Sequence, residues 1–404
     1  MLRKICIFFL IFLPFLSACD LKDNVSEPTL SFVKIYDNND FSKAFTPLDI
    51  KQTADSGFVI LGRTPSDKSS FYSVYLMKVA RDGAFQWEHT SDIYVNPISD
   101  LLVDGNDFVF FATNRTTLTA NLLRAEQTPG TVFEVPTTVR IQDDEVEYKY
   151  PLAAGAITGG YLLQTLDENF STTRLFKLSA NGSANWSTGF DIFESLEEKT
   201  INHLTRRGQI FPFFVGETGN SGYFFNGFNN FTLSMTFVDA NGKQTAELKG
   251  EEYQSGVSNA LAIAGGKMAM ARYKGDGENV LLPQATVNPA QDGTAQKLVG
   301  NDLPELNKFA RIIIKKATIA GKNVVLYGTD TKNGQMVIFA YDEATGNLLG
   351  SRYIGSNNTF QMGGFTLTQD EGMAISGAIF VAGRFSRICL FKLTKSDLEK
   401  LVGI

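Results

Sequence analysis

One short pattern recurs along this chain and limits what it can become: a glycine or small polar residue followed by a run of apolar residues. It appears as "GFVILGRT" from Gly57, "GNDFVFFATN" from Gly105, "GYLLQTL" from Gly160 and "GYFFNGF" from Gly222. It returns as "GKMAMARY" from Gly266, "GKNVVLYGTD" from Gly321 and "GMAISGAIF" from Gly372. Subtracting the starting positions spaces these seven copies by 48, 55, 62, 44, 55 and 51 residues. A period of that size is the mark of a repeat architecture. After residue 30 no helical periodicity of useful length is visible. Short alternating or apolar runs are punctuated by Gly, Asn and Asp, which reads as all-β.

A second element follows the first in most copies: a strand, a tight turn and another strand. "VYLMKVARDGAFQWEHT", "RLFKLSANGSANWSTGF", "MTFVDANGKQTAELK" and "VIFAYDEATGNLLGSRYI" carry it. Asp82-Gly83, Asn181-Gly182 and Asn241-Gly242 predict two-residue hairpins of type I′, with positive φ at both central positions. Thr345-Gly346 sits in a slightly longer turn. The position four after the turn glycine is Trp87, Trp186, Ala246 and Gly350, and the chain has no other Trp. A position that drifts from Trp to Gly is expected to pack in the outer strand of a degenerate repeat, not to bind a ligand.

A four-stranded unit repeated seven times is the pattern of a β-propeller. The expectation is an all-β, seven-bladed β-propeller of four-stranded blades. The recurring apolar strand and its partners lie near the channel, and the hairpin leads to the outer edge. The last copy, "RICLFKLTKSDLEKLVGI", supplies a third strand and a polar tail but no fourth strand. "SFVKIYDNND" from Ser31 reads as an isolated fourth strand, so the N-terminal strand is expected to complete the last blade and remove an open edge. The copies at Gly105 and Gly266 lack a clear hairpin, which leaves six or eight blades open.

"GGYLLQTL…LFKLSANGSANW", Gly159 to Trp186, resembles the repeats of bacterial propeller lipoproteins, especially those of Bacteroidetes. "YDEATGNLLG" resembles quinoprotein-type propeller repeats. The resemblance covers nearly the whole mature chain. It implies the fold and an envelope location, but no single activity, since one scaffold serves many functions.

The N-terminus agrees with that location. Arg3 and Lys4 precede an apolar core, Ile5 to Leu16, shorter than the roughly 20 residues that span a bilayer. Leu16-Ser17-Ala18-Cys19 resembles the bacterial lipobox, in which the Cys is lipidated and becomes the mature N-terminus. The expected division is a signal peptide over 1–18, a lipidated tether over 19–30 and the propeller over 31–404. Acyl chains would anchor the chain without spanning the membrane. Lys22-Asp23 resembles the charged export signals of surface lipoproteins, so the expected place is the bacterial outer membrane, surface-exposed in preference to periplasmic. Removing the signal takes Arg3 and Lys4 from the 37 basic residues and leaves 35 against 43 acidic ones, a net charge of −8. That surface argues against nucleic acid. Cys6 leaves with the signal and Cys19 is lipidated, so Cys389 is left without a disulfide partner.

Chemistry is sparse. His89 and His203 are the only histidines, too few for a His-rich metal site or a repeated Ser-His-Asp arrangement. Asp49, Asp104, Asp107 and Asp370 are candidate inward carboxylates for a propeller glycosidase, but none sits in an acid-base motif. "ARDGAFQW" and "SANGSANW" lack the Ser-x-Asp-x-Gly frame of sialidase repeats. A quinone cofactor needs regular Trp-bearing repeats, which are missing. The acidic run "QDDEVEY", Gln142 to Tyr148, matches no calcium loop. No catalytic residue, metal ligand or cofactor is therefore assigned.

Binding is better supported. Phenylalanines cluster in "IFPFFVGETGNSGYFFNGFNNFTLSMTF", residues 210–237, where Pro212 demotes the first run to an edge or irregular strand. Phe211, Phe224, Asn226, Phe228, Asn230 and Phe231 form the candidate aromatic-amide site, with Arg206-Arg207 nearby. The functional expectation is a lipid-anchored, non-catalytic protein-binding or scaffold subunit. Its partners would be the membrane, through the N-terminal lipid, and an outer-membrane protein or another lipoprotein. A surface glycan-binding protein is the alternative, with a propeller hydrolase as the third reading.

Overall fold

The structure is a computed structural model. It describes residues 31–404 apart from 38–41, 106, 126–138, 141, 144–145, 148, 194–195, 206–209, 220, 230–231, 251–255 and 382–383. The signal, the tether, Cys19, Asn230, Phe231 and Arg206-Arg207 lie outside the described residues, as does part of the acidic run.

The chain is built from antiparallel meanders in sequence order. The first runs through Thr46–Gln52, Phe58–Pro65, Tyr72–Val79 and Phe85–Val95. Further meanders span 102–125, 149–191, 215–249, 256–303 and 313–354. In the last sheet Thr359–Leu367, Met373–Phe380 and Arg387–Leu393 are joined by Phe32–Tyr36, which pairs with Arg387–Leu393 from Phe32↔Lys392 to Tyr36↔Ile388.

Each recurring apolar run is the second strand of its meander, one place out from the innermost strand. Its alternate residues serve two different cores. Val59 and Leu61 pack with Phe108 and Phe110 of the following meander, whereas Phe58 and Ile60 pack with Ala374, Ile388 and Leu390. Val109 and Phe111 meet Leu163 and Phe176, and Leu162 and Leu175 meet Tyr223 and Phe225. Phe224 and Phe237 meet Met268 and Met270, Ala269 and Leu281 meet Tyr327 and Phe339, and Leu326 and Ile338 meet Phe365 and Ile375. Sheets buried on both faces need apolar residues at successive positions, so these strands read as continuous runs in the sequence. Sheet packed on sheet in chain order, with the first strand of each meander innermost, is β-propeller packing.

The hairpin turns differ from the expected type. Gly83, Gly182, Gly242 and Gly346 have φ between +73° and +85°, but Asp82, Asn181 and Asn241 are not in the left-handed region. Gly83 N–H donates to Ala80 O and Ala80 N–H to Ala84 O. This is a type I turn followed by a glycine bulge, the three-residue hairpin. The pairing register shifts at the same place in all four copies, for example between Lys78 and Val79 and between Lys177 and Leu178. The acidic or amide side chain prefers to accept a local N–H, as Asp82 Oδ1 does from Ala84 (2.9 Å), and so needs no positive φ itself.

Among the described residues two short α-helices accompany the strands of this all-β chain. The first, α1 (Glu197–Leu204), lies in the long connection before Val215–Glu217. The second, α2 (Lys395–Leu401), forms from the polar tail because Thr394 and Asp397 make a reciprocal capping box. Among the described residues no helix is long and apolar enough to cross a membrane.

Candidate functional site

The innermost strands surround a cavity of about 790 Å³. Four of them carry a register shift that bulges one residue: Leu48, Leu152, Ser258 and Gly363. A bulged residue loses its ladder partner. Here side chains from neighbouring sheets supply partners. Arg311 donates to the carbonyls of Gly363 (2.7 Å) and Leu48 (3.1 Å). Leu101 N–H donates to Asp49 Oδ2 (3.0 Å), Met362 N–H to Asp330 Oδ1, and Asn259 Nδ2 to Ile312 O (2.7 Å). These bonds stitch sheet to sheet around the cavity.

Among the described residues, five cations line the cavity, Lys51, Arg63, Lys308, Arg311 and Lys315, against two carboxylates, Asp100 and Asp330. Asp49 sits behind the wall. Burial opposes its ionisation, but Lys51 (2.6 Å) and Lys315 (3.8 Å) more than offset that, and its pKa is lowered. Burial brings Lys315 down to about 8, despite Asp49. Asp100 is pushed the other way, first by desolvation and then by Asp49. It opens into the cavity on a backbone with φ +87°. A non-glycine residue held there marks a connection over-determined by its surroundings. Burial raises Asp330 to about 7.

One corner is aromatic. His203 Nδ1 accepts the Phe211 N–H (2.9 Å), and its ring meets Phe213 edge-on at 5.1 Å. Burial, and then the Arg63 charge, lowers His203 to about 3, so it is neutral. Phe211 and Phe213 line the cavity and pack on Phe228 at 5.0 and 5.8 Å.

The predicted aromatic-amide group is dispersed by this arrangement. Phe211 lines the cavity, and Phe228 is buried beneath it. Phe224 is buried in the core between two sheets. Asn226 is fully buried, donating to Pro212 O (2.9 Å) and Val257 O (3.0 Å) and accepting from Phe214 N–H (2.8 Å). Phe224 and Asn226 therefore do not form an exposed platform: the inward face of that strand is core, and the amide ties down the irregular Pro212 segment. Asp104 and Asp107 pair with Arg124 (2.5 and 3.1 Å), and Asp370 with Lys392 (2.9 Å). Among the described residues no group of three or more His, Cys, Asp or Glu side chains could hold a metal.

Sequence reasoning missed Lys51, Arg63, Asp100, Arg311, Lys315 and Asp330. The usable signal was a charge inside an otherwise apolar run, as at Arg63 in "GFVILGRT" and Lys315 in "RIIIKKATI".

No protein-family model matches the chain, and no curated protein does. Among solved structures it is similar to the β-propeller domain of the Trilobed protease from Pyrococcus furiosus, at 10% identity over 89% of this chain and 98% of that one, with a TM-score of 0.48. The Dos1 propeller matches at 9% identity over 90% and 95%, also at 0.48. A protein of unknown function from Dyadobacter fermentans matches at 11% over 91% and 98%, at 0.46.

Proposed function

We propose that this is a lipid-anchored, seven-bladed propeller of the bacterial outer membrane that binds a protein partner and does no catalysis. Cys19 carries the lipid, and Phe32–Tyr36 closes the ring by completing the last blade. The continuous register of that strand on Arg387–Leu393 supports the closure.

The observation that carries the binding reading is a set of long connections and exposed aromatic side chains gathered at one end. Tight glycine turns stand at both ends, at 80–84, 179–183 and 239–243 on one and at 274–278 and 331–335 on the other. That second end also carries the connection 304–312 and the described residues of the connection between Asp191 and Val215. Large apolar side chains stand exposed on that same end, with Phe193 at 89% and Phe385 at 51%. Loops on a rigid scaffold suit recognition, and exposed aromatic anchors suit protein contact.

The test is mild-detergent purification of the tagged, lipidated protein from its native envelope, followed by identification of what accompanies it. The expected result is a stoichiometric outer-membrane protein or lipoprotein that is lost in a Phe193→Ser, Phe385→Ser variant with an unchanged melting midpoint. A clean monomer overturns the reading. One observation favours the hydrolase alternative: Asp100 and Asp330 converge on one cavity. Asp330 accepts the Met362 N–H through Oδ1, which holds it in the wall of that cavity.

A further inference from the structure

We propose that the axial cavity binds a small organic carboxylate with an apolar body, its carboxylate received by Arg63 and Arg311. This goes beyond the docking reading and stands whether or not a protein covers the loop end.

The cavity is of the size that encloses a small ligand, roughly 300–1,000 Å³. Its lining is mixed, with Ile98, Leu101, Ile312 and Phe309 among the apolar residues. Among the charged groups that line it, five cations outnumber two carboxylates, on a chain whose formal net charge is −6. Lys51 and Lys315 are already answered by Asp49. Among the described residues neither arginine lies within ion-pair distance of a carboxylate, although the Arg311 charge acts on Asp100 and Asp330 across the cavity. Arg311 is pinned by the carbonyls of Leu48 and Gly363, which account for two of its five N–H donors. Arg63 places its guanidinium carbon 4.5 Å from the centre of the Tyr72 ring, and among the described residues its buried Nε has no hydrogen-bond partner. A buried donor left unsatisfied is costly, and a guanidinium matches a carboxylate through paired N–H bonds. The neutral His203 and the Phe211–Phe213 pair beside Arg63 supply a dry, uncharged wall for the rest of the ligand. A bare inorganic anion would leave that wall unused.

The test is calorimetric titration of the protein with 4-phenylbutyrate and octanoate, against 4-phenylbutyramide and inorganic phosphate. Saturable binding of either acid is expected at millimolar concentration or below, with the amide about tenfold weaker or worse, as loss of a charge-assisted hydrogen bond implies. Arg63→Gln should weaken binding by a similar factor with an unchanged melting midpoint, and Arg63→Lys should fall between, since it keeps charge but loses the fork. Arg311→Gln should also weaken binding, at some cost in stability because two carbonyls lose their donor. Four results would each overturn the proposal: no saturable binding of either acid, equal affinity for the amide, phosphate binding as tightly as the acids, or unchanged affinity in Arg63→Gln.

Discussion

At Asp330 the carboxylate sits in the wall between two sheets, where it accepts the Met362 N–H and is shielded from water. Its folded pKa of about 7 stands above its ordinary value of 3.8 because burial disfavours the charge. Between those two values the folded state binds more protons than the unfolded one, so stability falls as pH rises through the interval and levels off above it. Asparagine can accept the same N–H and never ionises. Asp330→Asn is therefore expected to raise the melting midpoint more at pH 8 than at pH 5. The upper limit is on the order of 4 kcal/mol, at about 1.4 kcal/mol per pKa unit. Equal gains at both pH values would show that the carboxyl does not titrate there. Asp330 was not legible in the sequence, where it ends the apolar run "VVLYGTD" and looks like turn chemistry. Its surroundings include Met362 of another strand and Arg311 of the connection 304–312, and no local window contains those contacts. The residues around Lys78 and Lys392 do carry a signal that is legible in the sequence. "TADSG" and "TQDEG" are the same Thr-x-Asp-x-Gly turn, and Asp55 and Asp370 each receive a buried lysine at 2.9 Å.

The turn and the strand after it form the unit that the sequence displayed best. Trp186 stands opposite Lys177, as Trp87 stands opposite Lys78 and Phe32 opposite Lys392. Its Nε1 donates to Ala240 O (2.9 Å), and its ring covers the next meander's turn at Gly242. Phe32 covers Gly83 in the same way. This is the packing role expected for the Trp position, and it fixes which glycines tolerate a side chain. Gly242 and Gly321 have similar φ, +81° and +77°. A Cβ at Gly242 would lie 2.7 Å from the Trp186 ring, whereas at Gly321 nothing lies within 4 Å. Gly321→Ala should cost only the left-handed backbone penalty, about 1–2 kcal/mol. Gly242→Ala should cost more, because Trp186 must move and its hydrogen bond to the same turn is strained. Denaturant melts of the two variants decide this, and equal losses would show that the ring yields freely. The turn type was misjudged because Asp-Gly and Asn-Gly also serve type I turns with a bulge, and only the partner register separates the two.

Over the whole molecule, the all-β class and the repeat were legible because every second strand is apolar on both faces, a property that survives in a linear sequence. The cavity was not, because it is lined by the innermost strands, whose short sequences share no motif and whose charges come from positions as distant as Lys51 and Lys315. The pairing of the first described strand lies between these cases: "SFVKIYDNND" is visibly a strand, but its partner is more than 350 residues away. The pairing places Ile35 directly opposite Cys389, on the same face of the sheet. Directly opposed residues of antiparallel strands have Cα atoms about 4.5–5.5 Å apart, within the span of a disulfide. The native Cys389 thiol is buried, which raises it to about 12. In a chain starting at residue 20, Ile35→Cys should therefore form one disulfide under mild oxidation. By linking the chain's ends it should raise stability by roughly 2–4 kcal/mol, because it constrains nearly the whole unfolded chain. The same variant under reduction should melt close to the parent, since Ile35 is half exposed. If Cys389 stays reduced in a folded, oxidised sample, Phe32–Tyr36 does not pair with Arg387–Leu393 in this register.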